Sequence, residues 1–260
     1  MTSSVAEHGV AERTNRRASP AKRLIVALVG QEAASKVKRA AKAVIGKDHL
    51  YPVQLDCHKS RFGDAAYGWW MICPDDLTAD SVIYSFGVGT DISFDCALIK
   101  RTGATVHAFD PNPHALAWAK QRQTPSGFVL HPYGVADFNG TTPLYPPDDA
   151  VPDSFTMLDH AFETENAGVV PVHRLTTIME LLGHTGIDLL KLDIEGMEYR
   201  VIRDLLADDV PVRQIVVEFH HRLSGVGFAK TRTAIRALQA HGYRIFHVSV
   251  NGWEYSFRRA

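Results

Sequence analysis

Apolar positions along the chain switch between short continuous runs and runs spaced by three and four, the pattern of strands alternating with helices. Residues 82–86, Val-Ile-Tyr-Ser-Phe, form a strand-like run that enters Gly87-Val88-Gly89-Thr90-Asp91. The chain leaves that turn into residues 92–100, where Phe94, Ala97 and Leu98 recur at helical spacing. A second strand over 105–109 ends at Asp110, and a helix over 113–122 buries Ala115, Leu116, Trp118 and Ala119. Residues 128–131 read as a further strand. Residues 169–175 read as an edge strand that tolerates Pro171, with Thr176 capping a helix to Leu182. Residues 187–192 form a buried strand that stops on acids and turns at Gly196 into a helix carrying Val201, Ile202, Leu205 and Leu206. Residues 214–219 are the next strand, followed by a helix from about Phe228 to His241. The alternating runs on either side of Asn251-Gly252 predict an antiparallel hairpin with a two-residue turn. Strand–helix repetition of this kind implies an α/β fold built on a doubly wound, mostly parallel sheet.

Three segments precede or interrupt this pattern. Residues 1–20 are polar and read as a disordered tail without the apolar stretch of a secretory signal. Residues 21–54 form an N-terminal helical segment, amphipathic and basic, broken at Gly30. It suits packing on the domain or on a second copy in a homo-oligomer, with a membrane-surface helix as the alternative; it is too short and too charged to span a bilayer. Residues 55–260 make up the main domain. Within it, Gly63, Gly68, Trp69 and Trp70 predict a packed lid or hairpin near the glycine turn. Arg61 and Trp69 there are candidates to touch a ligand, unless the tryptophans only bury apolar area at the sheet edge. Residues 143–168 are rich in proline and acid and lack periodicity, which suits a substrate-recognition loop.

Composition narrows the class. With 260 residues, 45% hydrophobic and 22% charged, the chain can bury a full core. A formal net charge of -1 supplies no global field for nucleic acid or anionic membrane, so neither partner is indicated. Cys57, Cys73 and Cys96 contain no C-x-x-C pair and suggest neither a disulfide framework nor a zinc site. A cytoplasmic location fits such a set.

The strand–glycine turn–helix unit followed by a strand ending in an acid is how a wound sheet holds a nucleoside. Phe86, Gly87 and Gly89 allow close backbone approach, while Asp110, beside Pro111, takes the ribose hydroxyls. Ile92 stands where a dinucleotide site needs its third glycine, and Asp91 suits the cationic amino-acid end of S-adenosylmethionine better than a pyrophosphate. Val135, Ala136 and Asp137 are candidates to pack on adenine and meet its exocyclic amine, against the alternative of an ordinary polar turn. Ligands of such sheets sit outside the carboxyl ends of the strands, which puts Asp193 and Glu195 at the mouth, joined by Glu218, His220 and His221. That set suits general-base chemistry or a divalent cation at Asp193, Glu218 and His220, and equally helix capping; no metal is required by the pattern.

As an ordered set, Ala108-Phe109-Asp110-Pro111-Asn112-Pro113, Asp193-Ile194-Glu195-Gly196 after Asp188-Leu189-Leu190-Lys191-Leu192, and Val217-Glu218-Phe219-His220 resemble the FkbM-type methyltransferases. Tyr84-Ser85-Phe86-Gly87, and Arg61-Phe62-Gly63-Asp64 before Trp70-Met71-Ile72-Cys73, are closer to a methyltransferase-like branch of that group. The resemblance covers roughly residues 55–250. It implies a seven-stranded, Rossmann-like class I fold, S-adenosylmethionine as cofactor, and O-methylation of a hydroxyl on a small molecule, sugar or natural product. On that reading Asp193, Glu195 and His220 are assigned to the acceptor side, with Asp193 or His220 as base. Asp110 stands where the family often has glutamate, and Tyr84-Ser85 where an acid usually precedes the glycine turn, which leaves Asp91 to meet the methionine end. A non-catalytic nucleoside-binding module stays open, as does an NAD-dependent oxidoreductase, disfavoured by Ile92 and the closing hairpin.

Overall fold

The computed structural model describes residues 33, 37, 39–41, 43, 50–64, 68–145, 156–157, 168–223 and 225–260. The chain divides into two compact units, Met1–Tyr51 with Val250–Gly252, and Pro52–Ser249 with Trp253–Ala260. In the first, residues 33, 37, 39–41 and 43 are helical; the expected tail over 1–20 and most of the helical segment over 21–54 lie outside the described residues.

The second unit is built on a seven-stranded sheet. β1 (Ser60–Phe62) and β2 (Trp70–Ile72) pair as a separate antiparallel sheet, the hairpin of the two forms expected for the tryptophan segment. β3 (Ile83–Phe86), α1 (Ser93–Thr102), β4 (Val106–Phe109), α2 (Pro113–Lys120) and β5 (Phe128–His131) follow. β6 (Gly134–Val135), β7 (Gly140–Leu144) and β8 (Gly168–His173) make a small third sheet. The chain returns through α3 (Leu175–Leu182), β9 (Ile187–Leu192), α4 (Glu198–Ala207), β10 (Val212–Glu218) and α5 (Phe228–Ala240). It closes with β11 (Tyr243–Val248) and β12 (Glu254–Arg259). The main sheet runs in the order β11-β12-β10-β9-β3-β4-β5, parallel except for β12, which is antiparallel to both of its neighbours. The winding reverses between β3 and β9, and a crevice opens beyond the carboxyl ends of those strands.

Strand alternation gives the sheet two different faces. On one, Ile83 and Val106 join Phe94 and Leu98 of α1 in a core that also takes Phe62, Trp70, Ile72, Leu189 and Val216; burying Leu98 alone is worth about 1.5–3 kcal/mol. On the other, Phe86 stacks on Phe109 at 4.3 Å and Phe109 on His131 at 4.6 Å, while the Tyr84 hydroxyl meets His184 Nδ1 at 2.8 Å. α1 stops at Gly103, whose φ of 75° a side chain would resist.

Four expectations are corrected. β8 is not an edge strand of the main sheet but the middle of the small one; β6 reaches only Val172 and His173, so Pro171 has a neighbour on one side alone. Thr176 does not cap α3, which begins at Leu175; Asn139 accepts instead from the Arg174 N–H at 2.9 Å, and the Arg174 guanidinium clamps Asp204 of α4 and Asp208 just past its end. The closing hairpin forms, but residues 249–253 connect it rather than a two-residue turn. Cys57 and Cys73 form a disulfide, leaving Cys96 as the free thiol; spacing carried no sign of this, because the β1–β2 hairpin is what returns the chain to Cys57. Of the loop over 143–168, Tyr145 and Thr156 bridge each other and the rest up to Gly168 is described only at Pro143, Leu144 and Met157. Among the described residues, no helix is long and apolar enough to cross a membrane.

Candidate active site

A cavity of about 650 Å³ opens at the carboxyl ends of β3, β4, β9 and β10. One end is the glycine turn. Gly87 has φ 83°, and a Cβ there would collide with the Asp193 carbonyl oxygen, so only glycine lets the end of β3 lie against the end of β9. Gly89, also at positive φ, has open space on its Cβ side. Asp110 braces the turn from β4: its Oδ2 accepts from Val88 N at 3.0 Å and Gly89 N at 2.9 Å, and its Oδ1 from Asn112 N at 2.8 Å. Burial pushes this carboxyl upward, and the three backbone N–H groups hold it back. Phe86, Pro111 and Val135 line the same cavity.

Two of the residues expected at adenine stand elsewhere. Ala136 packs with Leu144, Met157, Val172 and Met197, and Asp137 is paired with Arg200 at 2.7 Å and Arg203 at 3.0 Å. Burial opposes that carboxylate, but the Arg200 and Arg203 guanidiniums outweigh it and hold Asp137 below the ordinary range. Asp91 does line the cavity, yet its Oδ1 accepts from Ser93 N at 2.7 Å and starts α1, and its other oxygen lies against Gly68.

Beneath the turn, on the α1 face, sits a buried polar group the sequence pattern did not announce. Lys191 of β9 is beside Ser85 of β3; its ammonium donates to Gly87 O at 2.7 Å and Phe86 O at 3.3 Å, and stands 3.6 Å from Asp193 Oδ2. Asp95 of α1 also reaches the cavity, buried and, among the described residues, with no hydrogen-bond partner on Oδ1. Burial pushes its carboxyl up to about 6, against the pull of Lys191 and Ser85.

The other end collects acids. Asp193, Glu195 and His220, expected separately from two strand ends, come within 4.8 Å of one another. His220 Nε2 stands 3.3 Å from Glu195 Oε2 and 3.8 Å from Asp193 Oδ1. Glu195 is held at φ 47°, with its carbonyl accepting from the Thr156 hydroxyl at 2.7 Å. Glu198, wholly buried, accepts from Gly196 N and His220 N, each at 2.8 Å, and faces His220 Nδ1 at 3.5 Å. Burial works against a charged imidazole, but Glu198, then Glu195 and Glu218, outweigh it and raise His220 well above its ordinary pKa. Glu218 is pushed up to about 9, first by burial and then by Asp193, with Glu254 and Glu195 adding to it and His220 opposing. His221 instead packs edge-on against Phe228.

Residues 82–245, from the start of β3 to within β11, match the methyltransferase FkbM domain. The chain belongs to the FkbM methyltransferase family. It is 24% identical over 196 residues to the probable methyltransferase-like protein 24 of Rattus norvegicus and, over the same length, to that of Homo sapiens. Those matches take in 68% of this chain and 48% and 47% of the relatives, so the chain spans about half the length of the curated relatives it matches. Among solved structures, the methyltransferase FkbM of Methylobacillus flagellatus KT aligns with 70% of this chain and 44% of its own, at 14% identity and a TM-score of 0.43.

The fold is that of Rossmann-like class I methyltransferases, with the seven-stranded sheet and the glycine turn at its switch point. The FkbM domain match contains the glycine turn, Asp110 and the acid cluster, but not the whole cavity. Trp69 and Trp70 from the β1–β2 hairpin and Glu254 from β12 line it from outside the matched residues. Arg61, singled out with Trp69, lies over the Trp69 ring at 5.5 Å rather than lining the cavity.

Proposed function

We propose that this FkbM-family methyltransferase uses S-adenosylmethionine to methylate a hydroxyl on a small-molecule or glycan acceptor. The observation that carries the reading is a single cavity with a backbone-braced glycine turn at one end and converging carboxylates at the other. Gly87, Gly89, Phe86, Pro111 and Val135, which line the cavity together, would hold the adenosine, and the remaining acceptor capacity of Asp110 would serve the ribose. Asp91 is committed to α1, so Asp95, whose Oδ1 has no hydrogen-bond partner, is the carboxylate for the methionine ammonium.

Transfer is an in-line displacement. Bound S-adenosylmethionine would supply an electrophilic methyl group, which the acceptor oxygen would take as the carbon–sulfur bond returns its electron pair to sulfur. The hydroxyl proton passes to the Asp193 carboxylate. His220, held cationic by its acidic neighbours, orients Asp193 and Glu195 rather than accepting the proton. Alignment of donor and acceptor is worth up to about 7–11 kcal/mol in such reactions, and a placed base adds roughly 10²- to 10⁴-fold.

The test has two stages. Calorimetric titration with S-adenosylmethionine and S-adenosylhomocysteine comes first, and a protein that ignores both ends the proposal. An acceptor screen with methyl-labelled cofactor then identifies the substrate. On that substrate Asp193→Asn binds cofactor within a few fold of wild type but transfers roughly 10²- to 10⁴-fold more slowly; undiminished transfer removes Asp193 from the role.

A further inference from the structure

We infer that Asp193, Glu195 and His220 form a binding site for one divalent first-row cation, of the Mn²⁺ or Zn²⁺ class, in the wall of the cavity. Each offers one ligand atom, and those atoms lie within 4.8 Å of one another. The separations of 3.3 Å and 3.8 Å from His220 Nε2 to the two carboxylates are long for hydrogen bonds. They are close to the spacing of ligands sharing one ion at bond lengths of about 2.0–2.2 Å.

The imidazole supplies the second, independent observation. His220 is only 4% exposed, and among the described residues no hydrogen bond to its Nδ1 forms, although Glu198 Oε1 stands 3.5 Å away. Glu198 is itself fixed by the Gly196 and His220 backbone N–H groups. A buried carboxylate behind a histidine is the arrangement that sets the ring so its other nitrogen can bind a metal. Here that nitrogen, Nε2, is aimed at Asp193 and Glu195, which line the cavity, and a bound cation takes the place of the proton that Nε2 carries without it.

Charge and donor type agree. Glu254 lines the same cavity, and Lys191, the one lysine among its described lining residues, is engaged by the Phe86 and Gly87 carbonyls and approaches only Asp193 of the three proposed ligands, at 3.6 Å from Oδ2. One imidazole with two carboxylates suits Mn²⁺ or Zn²⁺ better than the all-oxygen shell preferred by Mg²⁺ or Ca²⁺. Three protein ligands leave positions open toward the cavity. Resting on the methyl-transfer reading, those positions are where the acceptor oxygen would bind and be made more acidic.

The experiment is a Mn²⁺ titration of the chelator-treated full chain, followed by the electron paramagnetic resonance signal of the free ion, with Zn²⁺ competition. Wild type and the exposed control Glu180→Gln are expected to bind one Mn²⁺ per chain that Zn²⁺ displaces. Glu195→Gln, whose half-buried site tolerates the change, loses at least tenfold in affinity. Glu198→Gln loses roughly 10- to 100-fold through its hold on His220. No binding by wild type, or binding that Glu195→Gln leaves unchanged, overturns the site. Cofactor binding is measured separately on the same samples. S-adenosylmethionine bound without Mn²⁺ overturns the cation site alone, whereas Mn²⁺ bound without S-adenosylmethionine upholds it and overturns the transfer reading.

Discussion

The two ends of the cavity are built on opposite principles. At the glycine turn, charge is absorbed by backbone: Asp110 meets three N–H groups, and Lys191 meets two carbonyls. At the acid end, side chains face each other, and carboxylates outnumber the groups that could neutralise them. An end made of backbone tolerates almost no change of shape, which on the methyl-transfer reading suits a cofactor common to many enzymes. One made of side chains can be retuned a residue at a time, which is what a variable acceptor demands.

Gly87→Ala strikes the rigid end hardest, because it adds strain at φ 83° to a collision with the Asp193 carbonyl. Thermal or urea unfolding should show a loss of about 2–4 kcal/mol, and cofactor affinity should fall on the order of 100-fold or more. A variant as stable as wild type would mean that the two strand ends are not in contact. Lys191→Met tests whether the ends are separable at all, since its ammonium serves both. Removing charged hydrogen bonds of this kind costs about 1.5–3 kcal/mol, so cofactor binding and transfer should drop together by roughly 10- to 100-fold; a drop in transfer alone would assign Lys191 to the acid end.

Asp95→Asn has the smallest effect and the most informative sign. A carboxyl raised to about 6 in the fold adds stability below its unfolded value of 3.8, and that contribution is lost as pH rises through 6. At pH 7 the ionised group therefore works against folding, and the variant should be more stable by on the order of 1–3 kcal/mol, with the advantage fading below about pH 4. Cofactor affinity should fall several fold over the same pH range. Unfolding curves for both proteins at pH 4 and 7, set beside cofactor titrations, decide it; a destabilised variant at pH 7 would show that Asp95 is satisfied without ligand.

Much of the rigid end is legible in the sequence because backbone constraints leave marks. Glycine at 87 and 89, an acid ending the next strand, and period-two apolar runs all reflect geometry that few residues can adopt. The acid end was legible only as strand termini, and its partners were not. Glu198 reads as an ordinary helix start, although its spacing from Asp193 and Glu195 was the available signal. Lys191 sits inside Leu189-Leu190-Lys191-Leu192, where a charge in a buried run should have pointed to carbonyls needing a donor. Asp95 lies between Phe94 and Cys96 on a packed face, and Asp137 was drawn off by arginines sixty-odd residues later in the chain. The Cys57–Cys73 bridge depends on a hairpin whose closure no spacing encodes.

β12 enters the sheet between β10 and β11 and brings Glu254 to the cavity. During synthesis, the glycine turn and Asp110 emerge from the ribosome long before this wall, which is the last of the cavity-lining residues to appear. Until residues 254–259 arrive, β10 has an open edge and the acid cluster has one side bare. A nascent chain thus carries the glycine turn before the wall that flanks the acid cluster, and the cavity takes its full shape only once β12 is threaded home.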